Sequence, residues 1–370
     1  MVDRSPIHPR RVVIAGGGIA AVEALMALAD LGDGRLELEL LAPGGEFVLR
    51  PQLLGRPWGS PPIHIPLERL CDEHGALLHR GTLTAVDVDE QVAVTANGDR
   101  RRYDELIVAT GARSALPYGS TQTVGFGSLP GRLASGGAGK VAIVVPPGTG
   151  WTLPAYELAL LIAGSQPGPV EVVTAEDRPL EAFGARAAEA AARFLMERRI
   201  MLLPRLQAPI GMDLSHLADT VLAFPLLRGP DIGGLPRGNG GFLPVDQRMR
   251  VMACRSVHAA GDVTLGRLKQ GGLAAQQAEV CARDIVHLAG GRLPAIDFAP
   301  VLRGMLQAAD GTRLYLRRVL DGTDEGAASE EPLWHPESAV AAWRLASWLQ
   351  QRPREFGFDA LGPTSRRQPV

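Results

Sequence analysis

The sequence predicts an α/β protein with two parallel-sheet domains and a small C-terminal segment. Residues 11–15 have the apolar composition of a buried strand and run directly into a glycine turn and an apolar helix. A second apolar stretch, residues 140–145, begins a new strand-helix-strand unit. A third, residues 257–262, precedes a long helical stretch and is predicted to return the chain to the first domain.

The glycine turn has the spacing G-x-G-x-x-A, formed by Gly16, Gly18 and Ala21, with Ala20 inside it. Gly16 allows a tight turn, Gly18 lets the backbone approach a diphosphate, and Ala21 permits close packing of helix on strand. The following helix N-terminus offers free N–H groups and the positive end of its dipole. The spacing therefore predicts a dinucleotide-binding loop, with a plain structural turn as the alternative.

The second strand departs from the usual dinucleotide pattern. An acidic residue for the adenosine ribose is expected at the end of that strand, but residues 36–41 are followed by Ala42 and Pro43. Glu37 and Glu39 come too early, and the alternation of the strand predicts that both point to solvent. We therefore expect backbone groups near Ala42 to hold the ribose.

Composition sets limits on the class of protein. The chain has 370 residues, 46% hydrophobic and 21% charged, and Lys plus Arg (38) nearly balance Asp plus Glu (40). Without a basic excess, nucleic acid is not an expected partner. No apolar run is long enough to cross a bilayer, and the first residues lack the order of an export signal, so a cytoplasmic location is expected.

The cysteines give no sign of a metal site or a disulfide. Cys71, Cys254 and Cys281 are far apart in the sequence and show no metal-ligand spacing. Each is predicted to be a small buried apolar side chain.

Further elements follow from periodicity and from turn residues. Residues 43–66 are predicted to be irregular and residues 125–139 to be a connector between domains. The predicted helices cover residues 67–74, 153–163, 186–198, 271–289 and 337–350. The predicted strands cover residues 81–87, 91–95, 103–109, 170–174, 241–245 and 248–251. Residues 222–225 are predicted to be the exit of the second domain, followed later by a hairpin over 312–320 and a disordered stretch over 322–331. The predicted domains are 1–125 with 236–297, then 126–235, then a C-terminal segment 298–370.

Three motifs in this order carry a resemblance to a known family. They are the glycine turn, the run Tyr-Asp-Glu-Leu-Ile-Val-Ala-Thr-Gly-Ala over residues 103–112, and His-Ala-Ala-Gly-Asp over residues 258–262. With them the chain resembles the pyridine nucleotide-disulfide oxidoreductase-like flavoproteins with two dinucleotide-binding domains. The run Lys-Gln-Gly-Gly-Leu-Ala-Ala-Gln-Gln-Ala over residues 269–278 is similar to the branch of sulfide:quinone oxidoreductases, flavocytochromes c and type II NADH dehydrogenases. The resemblance implies two Rossmann-like domains, the first discontinuous and binding FAD.

The resemblance also implies which residues bind FAD. Thr110 and Gly111 would let the backbone pass close to the cofactor, and Gly261 and Asp262 would meet the ribityl chain. A carboxylate at the end of a buried strand needs a partner, which a ribityl hydroxyl supplies. A cap on the following turn is the alternative role for Asp262.

Lys269, Gln270 and Arg50 complete the implied site. Lys269 and Gln270 precede the long helix whose N-terminus would face the pyrimidine edge of the flavin, where positive charge favours the reduced, anionic ring. A solvated lysine at a helix start is the alternative. Arg50, with Pro51, matches a family segment near the flavin and its phosphates.

The second domain lacks a clear nucleotide loop. Residues 146–154 contain three prolines and Trp151 where small residues with free N–H groups are expected, so binding of NAD(P)H is doubtful. The segment resembles the degenerate loop of sulfide:quinone oxidoreductases, but the redox cysteines of that branch are missing, which disfavours sulfide oxidation. Tyr156 and Glu157 could handle protons near the flavin, or simply pack the helix.

The predicted function is an FAD-dependent oxidoreductase that passes two electrons between a small-molecule donor and an unidentified acceptor, with a quinone as one candidate. One rival is an NAD(P)H-dependent flavin reductase or dehydrogenase in which Glu176 or Arg178 contacts the ribose. The other is a flavin-binding scaffold without catalysis. A homodimer is also left open.

The predicted helix over 337–350 has Val340, Leu345 and Trp348 on its apolar side. This side is predicted to pack in the core, to form a dimer contact or to meet a membrane surface.

Overall fold

The computed structural model of the chain describes residues 9–58, 62–118, 122–123, 133, 137, 139–205, 210–337 and 341–356. Two five-stranded parallel sheets form its framework. Parallel sheets require helical or long crossovers between strands. The fold is therefore α/β, as the sequence predicts.

The first sheet takes its strands from both ends of the predicted first domain. Its order is β17-β9-β1-β2-β5. The strands are β1 (Arg10–Ala15), β2 (Leu36–Ala42), β5 (Ala76–Arg80), β9 (Glu105–Val108) and β17 (Val257–Ala259). Since β1 lies between β2 and β9, the chain leaves β1 and β9 in opposite directions, which opens a crevice at the carboxyl ends of these strands.

Two helices cover one face of this sheet and a small sheet covers the other. Helices α1 (Ile19–Leu31) and α5 (Gly271–Leu288) share one apolar core with the side chains of Val12 and Ile14. On the opposite face, Val13 and Ala15 pack with an antiparallel sheet. Its strands are β6 (Leu83–Asp87), β7 (Val92–Thr95) and β8 (Arg100–Arg102).

The small sheet explains why one prediction about β2 is wrong. Glu39 does not point to solvent, because its side chain faces the side that β8 covers. Arg101 of β8 donates two hydrogen bonds to its carboxylate, both 2.7 Å long. Glu37 is exposed, as the alternation of the strand predicts.

The second sheet has the order β11-β15-β12-β13-β14. Its strands are β11 (Gln122–Thr123), β12 (Val141–Val145), β13 (Val170–Thr174), β14 (Ile200–Leu203) and β15 (Thr220–Ala223). Helices α3 (Leu153–Ala163) and α4 (Ala185–Met196) pack on one face. The arrangement repeats that of the first sheet, so β12 and its following loop correspond to β1 and the glycine turn.

The C-terminal segment forms a third layer over α3 and α4. It is an antiparallel sheet of β18 (Val301–Gln307), β19 (Arg313–Val319) and β20 (Gly326–Ser329). Leu302, Leu306 and Leu316 of this sheet belong to the same apolar core as α3. Helices α6 (Trp343–Gln350) and α7 (Pro353–Phe356) follow.

Helix α6 packs against α1. Leu345 and Trp348 are buried in the core of the first domain, whereas Trp343 is exposed. The backbone N–H groups of Arg344 and Leu345 donate to the buried carboxylate of Glu23 on α1, which caps the helix start. The structure therefore favours packing in the core for the apolar side of this helix, while Val340 lies outside the described residues.

The remaining elements are short. They are the antiparallel pair β3 (Glu46–Val48) and β4 (His64–Pro66), the antiparallel pair β10 (Arg113–Ala115) and β16 (Leu226–Arg228), α2 (Leu67–Glu73), and 3-10 helices at Arg50–Trp58, Glu181–Phe183 and Asn239–Gly241.

Several predicted elements are wrong in detail. The irregular stretch 43–66 contains β3, a 3-10 helix and β4. The predicted hairpin 312–320 is essentially the single strand β19, whose turn lies earlier, where the Ala308 N–H donates to the Thr312 carbonyl. The stretch 322–331 contains β20, and the stretches 241–245 and 248–251 make only isolated bridges. The helix predicted from residue 337 begins at Trp343.

A buried polar network joins α5 to the first sheet. His258 of β17 and Asp284 of α5 form a hydrogen bond of 2.9 Å, and Arg250 donates two further bonds to Asp284, at 2.6 and 2.9 Å. Burial raises the pKa of the Asp284 carboxyl, but the bonds from His258 and Arg250 outweigh this effect and lower the pKa to about 2. The network fixes α5 relative to β17.

The predicted domain boundaries stay predictions, since most of the connector 125–139 lies outside the described residues.

Candidate functional site

The carboxyl ends of β1, β9 and β17 meet at one edge of the first sheet. Gly16 to Gly18 follow β1, Thr110 and Gly111 follow β9, and Gly261 and Asp262 follow β17. In open α/β sheets, ligands bind outside the carboxyl ends of the strands, where the strand order reverses. The structure thus brings together residues that are far apart in the sequence.

The two glycines of the turn have different surroundings. Gly16 has a φ of 147°, and a Cβ added there would lie 2.1 Å from the carbonyl oxygen of Ala109. A Cβ added at Gly18 would meet no atom within 4 Å, so this side of the turn faces open space. Gly16 lets β1 and β9 approach each other, and Gly18 leaves room for a ligand.

The N-terminus of α1 faces the same crevice. Gly18 is its N-cap, no side chain caps the helix, and the first turn contains no acidic residue. Ala20 and Ala21 are buried, and a Cβ added at Gly261 would lie 3.2 Å from the Ala20 Cβ. The uncapped N–H groups of the first turn are therefore available to an anion beside the turn at Gly261.

Two polar side chains at this edge are without partners in the described chain. The buried Thr110 hydroxyl makes no hydrogen bond. The Asp262 carboxylate likewise accepts none, so the alternative role of a cap is not supported. Burial raises the pKa of Asp262, against the opposing effect of the Lys269 and Arg50 charges. Buried polar groups are almost always paired in proteins, so both side chains fit a ligand in the crevice.

Lys269 is buried rather than solvated, with 8% of its surface exposed. Its ammonium donates to the carbonyl of Asp262, at 3.1 Å, and to that of Thr264, and lies 3.7 Å from the centre of the Phe242 ring. Burial lowers its pKa to about 8, against the opposing charge of Asp262. Lys269 thus braces the turn that carries Asp262.

Gln270 and Ala42 are committed to protein contacts. The Gln270 side chain caps α5 by accepting from the Leu273 N–H at 3.2 Å, and it donates to the Arg303 carbonyl at 2.5 Å. Ala42 is buried at the end of β2, and its carbonyl accepts from the Gly81 N–H at 3.0 Å.

Arg50 begins the 3-10 helix that follows β3 and is exposed. In the described chain it makes no ion pair, and its charge acts on Asp262. Its guanidinium is therefore available to an anionic group near this edge.

The corresponding loop of the second sheet is different. Glu176, just after β13, turns back to the start of α3, where the Thr152 hydroxyl donates to it at 3.0 Å and the Tyr156 hydroxyl at 2.6 Å. Burial raises the pKa of Glu176, and the hydroxyl bonds oppose that effect. A carboxylate thus lies at the helix start where a second diphosphate would bind. Arg178 is exposed, 3.6 Å from Glu189.

Glu157 lies on the first turns of α3. The side chain is half-buried and makes no hydrogen bond or ion pair with any described residue. Burial raises its pKa to about 8. Because no described residue pairs with this carboxyl group and its pKa is close to 8, its protonation can change near neutral pH.

The cysteines are buried, as the sequence predicts, and none forms a disulfide. Burial raises the pKa of Cys71 to about 11 and also raises the pKa of Cys254 and Cys281. These thiols would stay protonated at neutral pH, so the structure offers no thiolate for sulfur chemistry.

The described residues contain neither a metal site nor a membrane-spanning helix. No group of His, Cys, Asp and Glu side chains among them has the arrangement of a metal site. Among the described helices, none combines the length and apolar character needed to cross a bilayer.

Comparisons with known proteins agree with this geometry. Residues 10–208 match the pyridine nucleotide-disulphide oxidoreductase family. The sulfide:quinone oxidoreductase of Aquifex aeolicus is similar in structure, with a TM-score of 0.72 and 16% identity over 96% of this chain and 92% of that one. No curated protein matches the sequence.

Other similar structures belong to enzymes with different electron partners. A ferredoxin reductase from Rhodopseudomonas palustris has a TM-score of 0.64 and 18% identity, over 85% of this chain and 84% of that one. A water-forming NADH oxidase from Lactobacillus brevis has a TM-score of 0.60 and 14% identity, over 84% and 75%. Identities this low show a shared fold and do not identify a substrate.

Proposed function

The chain belongs to the pyridine nucleotide-disulphide oxidoreductase family, and we propose that it is an FAD-dependent oxidoreductase whose flavin lies along the carboxyl edge of the first sheet. The observation that carries the proposal is the set of unpaired groups at this edge. The Thr110 hydroxyl, the Asp262 carboxylate and the first N–H groups of α1 are all without partners in the described chain.

These residues fit the parts of FAD one by one. The start of α1 and the turn from Gly16 to Gly18 would hold the diphosphate, since a helix N-terminus and open backbone favour an anion. Asp262 would accept hydrogen bonds from the ribityl hydroxyls. Arg50 would add charge near the phosphates. Bound FAD would supply two-electron redox chemistry at this edge.

Lys269 and Gln270 act as positioning residues in this proposal. Lys269 holds the carbonyls of Asp262 and Thr264, so the carboxylate keeps one orientation. Its charge and the α5 dipole together give positive potential at the helix start, where the pyrimidine edge of the flavin would lie. Gln270 fixes that helix start against β18.

The second sheet does not fit a nicotinamide dinucleotide. Glu176 occupies the start of α3 through its bonds to Thr152 and Tyr156. A diphosphate placed there would lie beside this carboxylate, and the two negatively charged groups would repel each other. We therefore propose that the electron donor is another small molecule, and a quinone remains a candidate acceptor because the fold is that of a sulfide:quinone oxidoreductase.

The test is an anaerobic titration of the purified protein with NADH, NADPH, sulfide and a quinol in turn, followed by the flavin spectrum. We expect bound FAD that NADH and NADPH reduce only slowly. Rapid reduction by NADH would contradict this donor assignment and support an NAD(P)H-dependent reductase. Retained FAD with no turnover above that of free flavin, for any donor tested, would support the non-catalytic scaffold.

A further inference from the structure

Two arginines face each other in the C-terminal sheet. Arg303 of β18 and Arg317 of β19 are directly opposite in the antiparallel register. Directly opposite residues of such a pair lie on the same face, with their Cβ atoms close together. Both side chains are half-buried, and neither makes a hydrogen bond or an ion pair with any described residue.

This arrangement is unfavourable unless something compensates for it. Like charges directly opposite each other destabilise a sheet, and burial removes the water that would screen them. Burial lowers the pKa of Arg303, and the charge of Arg317 lowers it further. A second pair, Arg113 and Arg228 of β10 and β16, has the same register, but both are exposed and therefore screened.

The same face holds another unused donor. Tyr315, two residues before Arg317, packs edge-on against Trp334, with ring centres 5.4 Å apart. The Trp334 indole N–H is buried without an acceptor. The nearby carboxylate of Glu337 is already bonded to Arg313 and to Tyr315, each at 2.5 Å. This face thus holds N–H donors that have no acceptor among the described residues.

The backbone of Arg303 contacts the start of α5, which belongs to the proposed flavin site. The carbonyl of Arg303 accepts the hydrogen bond from Gln270, the residue that caps α5. An extended arginine side chain can reach several ångströms beyond its own backbone. Its guanidinium can therefore meet a small molecule that lies beside the start of α5.

We propose that Arg303 and Arg317 bind the anionic group of the small-molecule electron donor or acceptor, a carboxylate or a tetrahedral oxoanion. Two guanidinium groups offer paired N–H donors, and each pair can bind two oxygen atoms of either group. The bound anion compensates for the repulsion between the two arginines. The position of this subsite relative to the flavin rests on the proposed function, whereas anion binding itself does not.

The test uses the purified full-length protein and two probes, oxalate for the carboxylate and sulfate for the oxoanion, at constant ionic strength. Thermal stability and the flavin spectrum are recorded as each probe is added. We expect saturable stabilisation by at least one probe. Arg303→Gln and Arg317→Gln should each weaken its apparent affinity by roughly tenfold or more, since each loses charge-assisted hydrogen bonds. Arg228→Gln is the matched control and should bind the probe like the wild type.

The outcomes test the anion site and the proposed function separately. The anion site is rejected if neither probe saturates, or if Arg303→Gln and Arg228→Gln bind equally well. Anion binding in a protein that lacks flavin and cannot be reconstituted with FAD would reject the proposed function and leave the anion site standing. Flavin retained in Arg303→Gln with loss of probe binding supports both.

Discussion

At the scale of single residues, the proposed cofactor site brings several polar groups without partners to one edge of the first sheet. Asp284 and Glu39 are buried carboxylates, and arginines donate two hydrogen bonds to each of them. Asp262 is not, although burial raises its pKa. A carboxylate kept unpaired in this way is explained by a ligand that supplies the missing donors.

Asp262→Ala should therefore weaken FAD binding by roughly tenfold or more, because the hydrogen bonds to the ribityl hydroxyls are lost. The measurement is the ratio of flavin to protein after dialysis, followed by titration with FAD. Asp89→Ala, which changes an exposed aspartate, is the control and should keep a full complement of flavin. Equal FAD affinity in the two variants would show that Asp262 has no part in the site.

Glu157 gives a prediction about pH. Its pKa is about 8 in the folded protein and about 4.5 in the unfolded chain. Between these values the folded state binds more protons than the unfolded state, so the free energy of unfolding falls as the pH rises from about 4.5 to 8. Glu157→Gln, which cannot ionise, should remove this contribution.

In urea unfolding, Glu157→Gln and the wild type should have similar stability at pH 5, and the variant should be more stable by about 3–4 kcal/mol at pH 8. Glu90→Gln, at an exposed position, should follow the wild type at both pH values. A difference between Glu157→Gln and wild type that does not change with pH would contradict a raised pKa.

Single residues also show the limit of sequence reasoning about the site. The spacing of Gly16 and Gly18 predicts the turn, and at Gly16 the positive φ is one that favours glycine. By contrast, Glu176 falls where a ribose ligand is expected, and its bonds to Thr152 and Tyr156 depend on side-chain direction, which the sequence does not reveal. The facing of Arg303 and Arg317 depends on strand register, which is equally invisible in the sequence.

At the scale of elements, α5 connects the core of the first domain to the site. Its start is capped by Gln270, and Asp284, near its end, bonds to His258 of β17 and to Arg250. Removing one partner of a buried charged network leaves the others unpaired in a medium that solvates them poorly. The anchoring of α5 should thus depend strongly on Asp284.

Asp284→Ala should lower the free energy of unfolding by about 3–5 kcal/mol. Urea unfolding at pH 7 measures the change. Asp297→Ala is the control. Asp297 is exposed and forms a surface ion pair with Arg248 at 3.6 Å. Such exposed pairs contribute about 0–1 kcal/mol to stability. Comparable losses in the two variants would mean that the buried network adds nothing beyond a surface pair.

The approach of β1 to β9 gives a prediction about Gly16. An alanine there would bring its Cβ into the Ala109 carbonyl, in addition to the strain of a positive φ. Gly98 also has a positive φ, but a Cβ there meets no atom within 4 Å. Strain alone costs about 1–2 kcal/mol.

Gly16→Ala should therefore destabilise the protein clearly more than Gly98→Ala, and only Gly16→Ala should reduce the flavin content. Thermal unfolding and the flavin to protein ratio measure both effects. If the two variants lose the same stability and both keep their flavin, the close contact at Gly16 is not important for the turn.

Elements with strong periodicity could be predicted from the sequence and weaker ones could not. The helix Leu153–Ala163 and the strand Val170–Thr174 have the predicted bounds, because most of their residues are apolar. Strand β20 has the sequence Gly-Ala-Ala-Ser, which has no strand propensity of its own. It forms because it pairs with β19, a tertiary effect that local sequence does not encode.

At the scale of the whole molecule, the two parallel sheets are similar in strand order but different at their carboxyl edges. In the first, the start of α1 is uncapped and the turn at Gly18 faces open space. In the second, Glu176 fills the start of α3. The repeated fold follows from the repeated strand and helix pattern, while the difference follows from a few side chains after β12 and β13. This difference is the reason why we propose one cofactor site rather than two.

The central claim is that the first of these edges holds FAD. The direct measurement is the amount and identity of flavin in the purified protein, by absorption spectrum and by chromatography after denaturation, before and after incubation with FAD. The account predicts one tightly but non-covalently bound FAD per chain. A folded protein that contains no flavin, and that takes up none when FAD is supplied, would contradict it.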